Sequence, residues 1–127
     1  MPILYESLSP YSHGMVRIAS LNSRVRRLAV VRSDTLTISV TSPVEYHLSI
    51  TVDKTEGFVG DTFRFSGYLM MYDPAVGRSV PVTLTEVSLY IEGEEVGSDV
   101  TDSQGRYSID WIPQEAGIYH AHTEAIV

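Results

Sequence analysis

The residues with the clearest potential for chemistry are His120, His122 and Glu124, which alternate with small residues near the end of the chain. If this segment is a β-strand, the three side chains share one face and their nitrogen and oxygen atoms could converge on a cation such as zinc. His47, if its predicted strand neighbours this one, could add a fourth ligand. The alternative is an ordinary polar face of a sheet, because no supporting carboxylate is gathered nearby. We therefore expect neither a metal nor a cofactor.

A second candidate is the acidic segment that contains Asp99, Asp102 and Ser103. Oxygen donors of this kind bind calcium in loops. However, the spacing lacks the glycine-centred pattern of a dedicated calcium loop, and Asp and Ser are common in turns. We interpret the segment as a turn.

Catalytic patterns are weak throughout the chain. The sequence has no cysteine, which excludes a thiol nucleophile, a disulfide framework and a thiolate metal site. It also lacks a Gly-x-Ser-x-Gly elbow and a glycine-rich phosphate loop. The adjacent carboxylates Glu94 and Glu95 fall in a predicted hairpin turn, where solvent would prevent the separation of pKa values that acid–base catalysis needs. The sequence therefore favours a protein that is not an enzyme.

Most of the chain shows the alternation of polar and apolar residues that is typical of β-strands. The predicted strands are 35–40, 46–52, 62–69, 87–92, 96–101, 106–111 and 118–127. Short strands at such spacing predict an all-β sandwich or barrel. We expect Trp111 to be buried in the core beside Phe63, Phe65, Leu89 and Ile109. We also expect a bulge or a close backbone approach at Gly67.

Residues 47–127 carry the motifs of a known fold family. They are Gly60-Asp61 before a strand, Gly105-Arg106-Tyr107 after a turn, Trp111 before Pro113, and Gly117-Ile118-Tyr119. With these motifs the chain resembles immunoglobulin-like modules of archaeal and bacterial surface proteins and of some viral structural proteins, and the related transthyretin-like sandwiches. The resemblance implies an immunoglobulin-like antiparallel β-sandwich with a tyrosine corner, in which the Tyr119 phenol bonds to nearby backbone. It implies little about function.

Such modules usually continue with one more strand after the segment that corresponds to residues 118–127. Without it, the last strand would keep an unpaired edge, which proteins normally cover. We expect either the predicted strand 35–40 or a strand from a neighbouring molecule to cover it.

The two ends of the chain differ in charge. Residues 1–33 hold five arginines against one glutamate, a net charge of +4, whereas residues 34–127 carry −11. We therefore predict an N-terminal β or extended arm over 1–33, with a possible β-hairpin around residues 21–23, and a sandwich over 34–127. The arm could bind a partner or the acidic body of its own chain. Its predicted interface residues are Tyr5, Tyr11, Arg17, Arg24, Arg26 and Arg27.

These features favour a non-catalytic structural protein of an extracellular assembly, most concretely a virion surface component such as a capsid decoration or tail protein. The expected partners are further copies of the chain, as a homo-oligomer, or a shell protein. The acidic body argues against nucleic acid, and no apolar run is long enough to insert into a membrane. The alternative is an adhesion or ligand-binding module of a larger cell-surface protein, and a third hypothesis is a metal-dependent enzyme. The expected location is the virion or the extracellular surface.

Overall fold

The computed structural model describes residues 14–26 and 45–127, and these residues form β-strands without a helix. The predicted all-β fold is therefore confirmed. The predicted strand 35–40 and the predicted boundary between residues 33 and 34 lie outside the described residues. The strands are β1 (Met15–Arg26), β2 (Glu45–Leu48), β3 (Thr51–Val52), β4 (Glu56–Phe58), β5 (Phe63–Asp73), β6 (Arg78–Pro81), β7 (Glu86–Ile91), β8 (Glu94–Val100), β9 (Arg106–Trp111) and β10 (Gly117–Ile126).

The strands form two sheets. The first has the order β4-β1-β10-β7-β8. The second is built around the long strand β5, which pairs at one end with β2 and β6 and at the other end with β3 and β9. Among the described strands, every pairing is antiparallel except that of β1 with β10, which is parallel. The antiparallel sandwich therefore contains one parallel pair.

The core lies between the inner faces of the two sheets, and alternate residues of β5 and β9 are buried there. The second sheet contributes Phe63 and Phe65, and the first contributes Leu89 and Ala121. The other buried apolar residues are Val16, Ile18, Leu48, Leu69, Val87, Ile91, Tyr107, Ile109 and Ala125. Complete burial of a large apolar side chain stabilises the fold by about 1.5–3 kcal/mol, so this cluster is the main source of stability.

Trp111 packs where the sequence places it but is only partly buried. Its ring centroid lies 5.9 Å from that of Phe63 and 6.5 Å from that of Phe65. It is the last residue of β9. The expectation of a buried tryptophan is corrected to a partly buried one that packs against the core.

The last strand is covered on both sides within the same chain. β10 pairs with β7 on one side and with β1 on the other, where ten residue pairs run from Val16↔Gly117 to Arg26↔Ile126. The strand that covers the expected open edge is therefore β1, and neither the segment 35–40 nor a neighbouring molecule is needed. Val16 and Ile18 of β1 are buried in the core.

This pairing also corrects the expected hairpin around residues 21–23. β1 continues without a turn from Met15 to Arg26, because each residue from Ser20 onward has a partner on β10. The structure thus differs from a separate arm at residues 15–26, which form a strand of the main sheet. A truncation of residues 1–33 would remove this strand, so it is not expected to leave the sandwich intact.

Gly67 is a point of close backbone approach, as predicted. A Cβ atom at this position would lie 2.1 Å from the carbonyl oxygen of Ser49, between β2 and β3. The same carbonyl accepts a hydrogen bond of 2.5 Å from the hydroxyl of Tyr107. That hydroxyl also lies 3.2 Å from Oγ1 of Thr123 on β10. One buried phenol therefore links the two sheets, and burial raises its pKa to about 12.

We expect Gly67→Ala to lower the free energy of unfolding by about 2–3 kcal/mol, because the added methyl group must displace the Ser49 carbonyl from Tyr107. Urea unfolding followed by circular dichroism measures this. Ser66→Ala is the matched control on the outer face of the same strand and should cost no more than about 0.5 kcal/mol. Equal stability of the two variants would contradict the close approach.

Candidate functional site

The three residues first considered as metal ligands lie on the outer face of β10, but His120 bonds to a different partner from His122 and Glu124. Nδ1 of His120 is 2.8 Å from Oγ of Ser20 on β1. Nε2 of His122 is 3.0 Å from Oε2 of Glu124, and its ring stacks on Tyr90 of β7 with centroids 4.8 Å apart. Across residues 14–26 and 45–127, no group of three histidine, aspartate or glutamate side chains is placed to hold a metal ion.

His47 does not belong to this group. It is exposed on β2, opposite Met70 of β5, and so lies in the second sheet, whereas β10 lies in the first. The suggestion that it neighbours the histidine pair is wrong, because the sequence does not show which strands share a sheet.

Glu124 is the centre of an ion-pair cluster on this face. Its side chain is only 7% exposed, and Oε2 lies 3.0 Å from Nη2 of Arg24, whose side chain is 64% exposed. Nη1 of Arg26 lies 3.6 Å from Oε1. Burial alone would raise the pKa of this carboxyl. The hydrogen bonds from Arg24 and His122 and the charges of Arg24 and Arg26 outweigh burial, so the pKa is lowered.

The predicted interface arginines are therefore partly engaged within the chain. Arg24 and Arg26 contact the body's own Glu124, which is one of the two alternatives left open by the charge pattern. Arg17 is exposed on β1, beside Glu56 of β4. A role of these arginines in a partner interface stays a prediction. Tyr5, Tyr11 and Arg27, the other predicted interface residues, lie outside the described residues.

The acidic segment considered for calcium forms a turn. Oδ1 of Asp102 accepts hydrogen bonds from the backbone N–H groups of Arg106, at 3.0 Å, and Gln104, at 2.8 Å, and these bonds lower its pKa. Oδ2 of Asp99 accepts a bond of 2.8 Å from the backbone N–H of Ser108, which ties β8 to β9. Both carboxylates thus satisfy backbone donors, Asp102 within the turn and Asp99 from the end of β8.

The expected hydrogen bond of the tyrosine corner is present. The Tyr119 hydroxyl donates to the backbone carbonyl of Glu115, four residues upstream, at 2.6 Å. This bond fixes the entry of the chain into β10. It also places the Tyr119 ring against Trp111, edge to face, with centroids 5.0 Å apart.

Beside this corner the structure contains a feature that the sequence did not predict, a cleft of about 300 Å³ at the open end of the sandwich. We call it the rim cleft. It is lined by Ile91, Glu92, Glu94, Val96, Trp111, Ile112, Gln114, Glu115 and Tyr119. These residues come from β7, β8, β9, β10 and the segments that follow β7 and β9. No local spacing could therefore reveal the cleft, although Trp111 was already named as a core residue.

No known protein family, curated protein or solved structure matches the chain. The resemblance to immunoglobulin-like modules therefore remains a prediction that rests on the motif residues. Within the described parts of the chain there is no helix of the length and apolar character required to cross a membrane.

We expect the Glu124 ion pairs to make stability depend on pH. Because the folded-state pKa lies below the ordinary value of 4.5, ionised Glu124 stabilises the fold above about that pH. This stabilisation is lost as the pH falls through the lower, folded-state pKa. Glu124→Gln should therefore cost about 1–2 kcal/mol at neutral pH, with the difference from wild type narrowing as the pH falls below 4.5.

Urea unfolding of both proteins across this pH range measures the effect. Glu45→Gln is the control, since Glu45 is exposed on β2 in the second sheet. A constant difference between wild type and Glu124→Gln at every pH would contradict the ion-pair account.

Proposed function

We propose that this protein is a non-catalytic structural component of an extracellular assembly, most concretely a virion surface protein that decorates a capsid or forms part of a tail. One contrast carries the proposal. Polar side chains that might perform chemistry are bonded to one another, whereas large apolar side chains remain at the surface. The exposed ones include Phe58, Tyr68, Tyr72, Leu84, Ile112 and Ile118.

The proposal assigns a structural role to these polar groups. His122 bonds to Glu124, His120 to Ser20, and Asp102 to its own turn. We infer that the contacts serve the fold, since polar side chains within a packed structure are normally hydrogen-bonded.

Exposed apolar groups support protein contacts where they are contiguous. At the rim cleft, Val96 and Ile112 are exposed beside the aromatic rings of Trp111 and Tyr119. Aromatic and apolar side chains of this kind form the centres of protein interfaces. A partner that covers them would add stability to a domain that has no disulfide.

An adhesion or ligand-binding module remains the second candidate, because of the outer face of β5. Tyr68 and Tyr72 are both nearly half exposed there. The guanidinium of Arg106 lies 5.5 Å from the centre of the Tyr68 ring. Exposed aromatic rings on a flat sheet provide a surface on which a ligand with an apolar face can stack.

Sedimentation velocity of the purified chain at rising concentration tests the assembly proposal. We expect concentration-dependent association, which Ile112→Asp should weaken at least about tenfold by placing a charge in an apolar contact. Ser79→Asp adds the same charge at an exposed position of β6, at the opposite end of β5 from Trp111, and should leave association unchanged. A chain that stays monomeric at every concentration, yet binds glycans in a Tyr68-dependent manner, would favour the adhesion alternative.

A further inference from the structure

The rim cleft has an aromatic floor and apolar sides. Trp111 and Tyr119 meet at an interplanar angle of 74°, so the cleft presents both ring faces and ring edges. The apolar side chains that flank them are Ile91, Val96 and Ile112. Ile112 is 48% exposed, which leaves apolar surface available at the mouth of the cleft.

The charged residues that line the rim cleft are all glutamates, namely Glu92, Glu94 and Glu115. The structure fixes the carboxylate of Glu92 and the backbone of Glu115. Glu92 begins the tight turn between β7 and β8 and accepts a hydrogen bond of 2.5 Å from the backbone N–H of His120. The backbone carbonyl of Glu115 is held by the Tyr119 hydroxyl.

The negative charge of the rim reaches into the cleft. The pKa of Tyr119 is raised, first by burial and then by the charges of Glu115 and Glu92. The two glutamate charges act in the same direction as burial, because a nearby negative charge disfavours the phenolate. A cation there would be stabilised by the same field.

Aromatic faces bind cations, and carboxylates add charge-assisted hydrogen bonds to guanidinium and ammonium groups. Apolar walls suit the aliphatic stem of arginine or lysine. We propose that the rim cleft binds an arginine or lysine side chain from an extended basic segment of a protein partner. This inference rests on the proposed function, since it names the chemistry of the partner.

A protein segment fits the site better than a small cation does. Val96 and Ile112 lie at the mouth of the cleft, where only the residues that flank an anchoring side chain would cover them. The overall net charge of −7 also favours a basic partner.

Trp111 is the only tryptophan in the chain, so its fluorescence reports directly on the cleft. The probe is a capped peptide of alternating arginine and valine, titrated into the full-length protein at low salt. We expect a saturable change in emission that weakens as salt is added. A peptide with glutamate in place of arginine should not bind. The capped single amino acid N-acetylarginine amide should bind at least about tenfold more weakly, because it lacks the flanking contacts.

Charge variants test whether binding depends on the glutamates of the cleft or only on the net negative charge of the protein. Glu94→Gln and Glu115→Gln should each weaken peptide binding about threefold, and the double variant about tenfold. Glu86→Gln removes the same charge from the far end of β7 and should have no effect. Ile112→Ser should weaken the peptide but not the single amino acid. Circular dichroism checks that each variant is folded.

Three results would overturn the inference: no saturable response, an equal effect of Glu86→Gln and Glu94→Gln, or equal affinity for the peptide and the single amino acid. The last would identify a site for small cations. If the peptide fails to bind while the chain still associates in sedimentation, the cleft assignment fails and the proposed function stands. If the peptide binds but the chain never assembles with a protein, the proposed function fails instead.

Discussion

The pairing of β1 with β10 is the constraint on which the rest of the structure depends. Without it, β10 would expose a full row of backbone donors and acceptors along one edge. β1 satisfies that row over ten residue pairs and carries Val16 and Ile18 into the core. The same register places Arg24 opposite Glu124, so a carboxylate that is almost fully buried has its counter-charge. Backbone pairing, core packing and charge compensation therefore all require the same strand.

This arrangement separates the two charged regions of the sequence. The basic residues of β1 lie against the acidic body, and Arg24 and Arg26 form ion pairs with Glu124. The glutamates of the rim cleft lie near Ile91, the last residue of β7, and surround aromatic rings. The residues that line the cleft include no arginine, lysine or histidine that could neutralise them. A surface that combines negative charge with exposed apolar groups is suited to a basic partner. The partner contact is thus expected on the sandwich rather than on the strand that completes it.

Much of the fold could be predicted because it depends on patterns of residues that are close together in the sequence. β5 and β9 show strict alternation, Gly67 marks a backbone contact, and Tyr119 bonds only four residues upstream. The β1–β10 pair could not be predicted this way, since Arg24 and Glu124 are 100 residues apart. Asn22 and Ser23 resemble turn residues, which suggested a hairpin, but tertiary pairing keeps the chain extended there. The rim cleft escaped prediction for the same reason, because distant segments form it.

The most direct test of this account uses the absence of cysteine to place one disulfide across the parallel pair. Asn22→Cys and His122→Cys occupy partnered positions on β1 and β10, whereas Asn22→Cys with His120→Cys is out of register by two residues and serves as the control. Non-reducing electrophoresis after mild oxidation shows whether each cross-link forms within one chain or between two. The account predicts an intramolecular disulfide in the partnered variant, little in the control, and a higher melting temperature for the cross-linked protein. Dimers linked between chains, or equal cross-linking of both variants, would contradict the claim that β1 completes the sheet of its own chain.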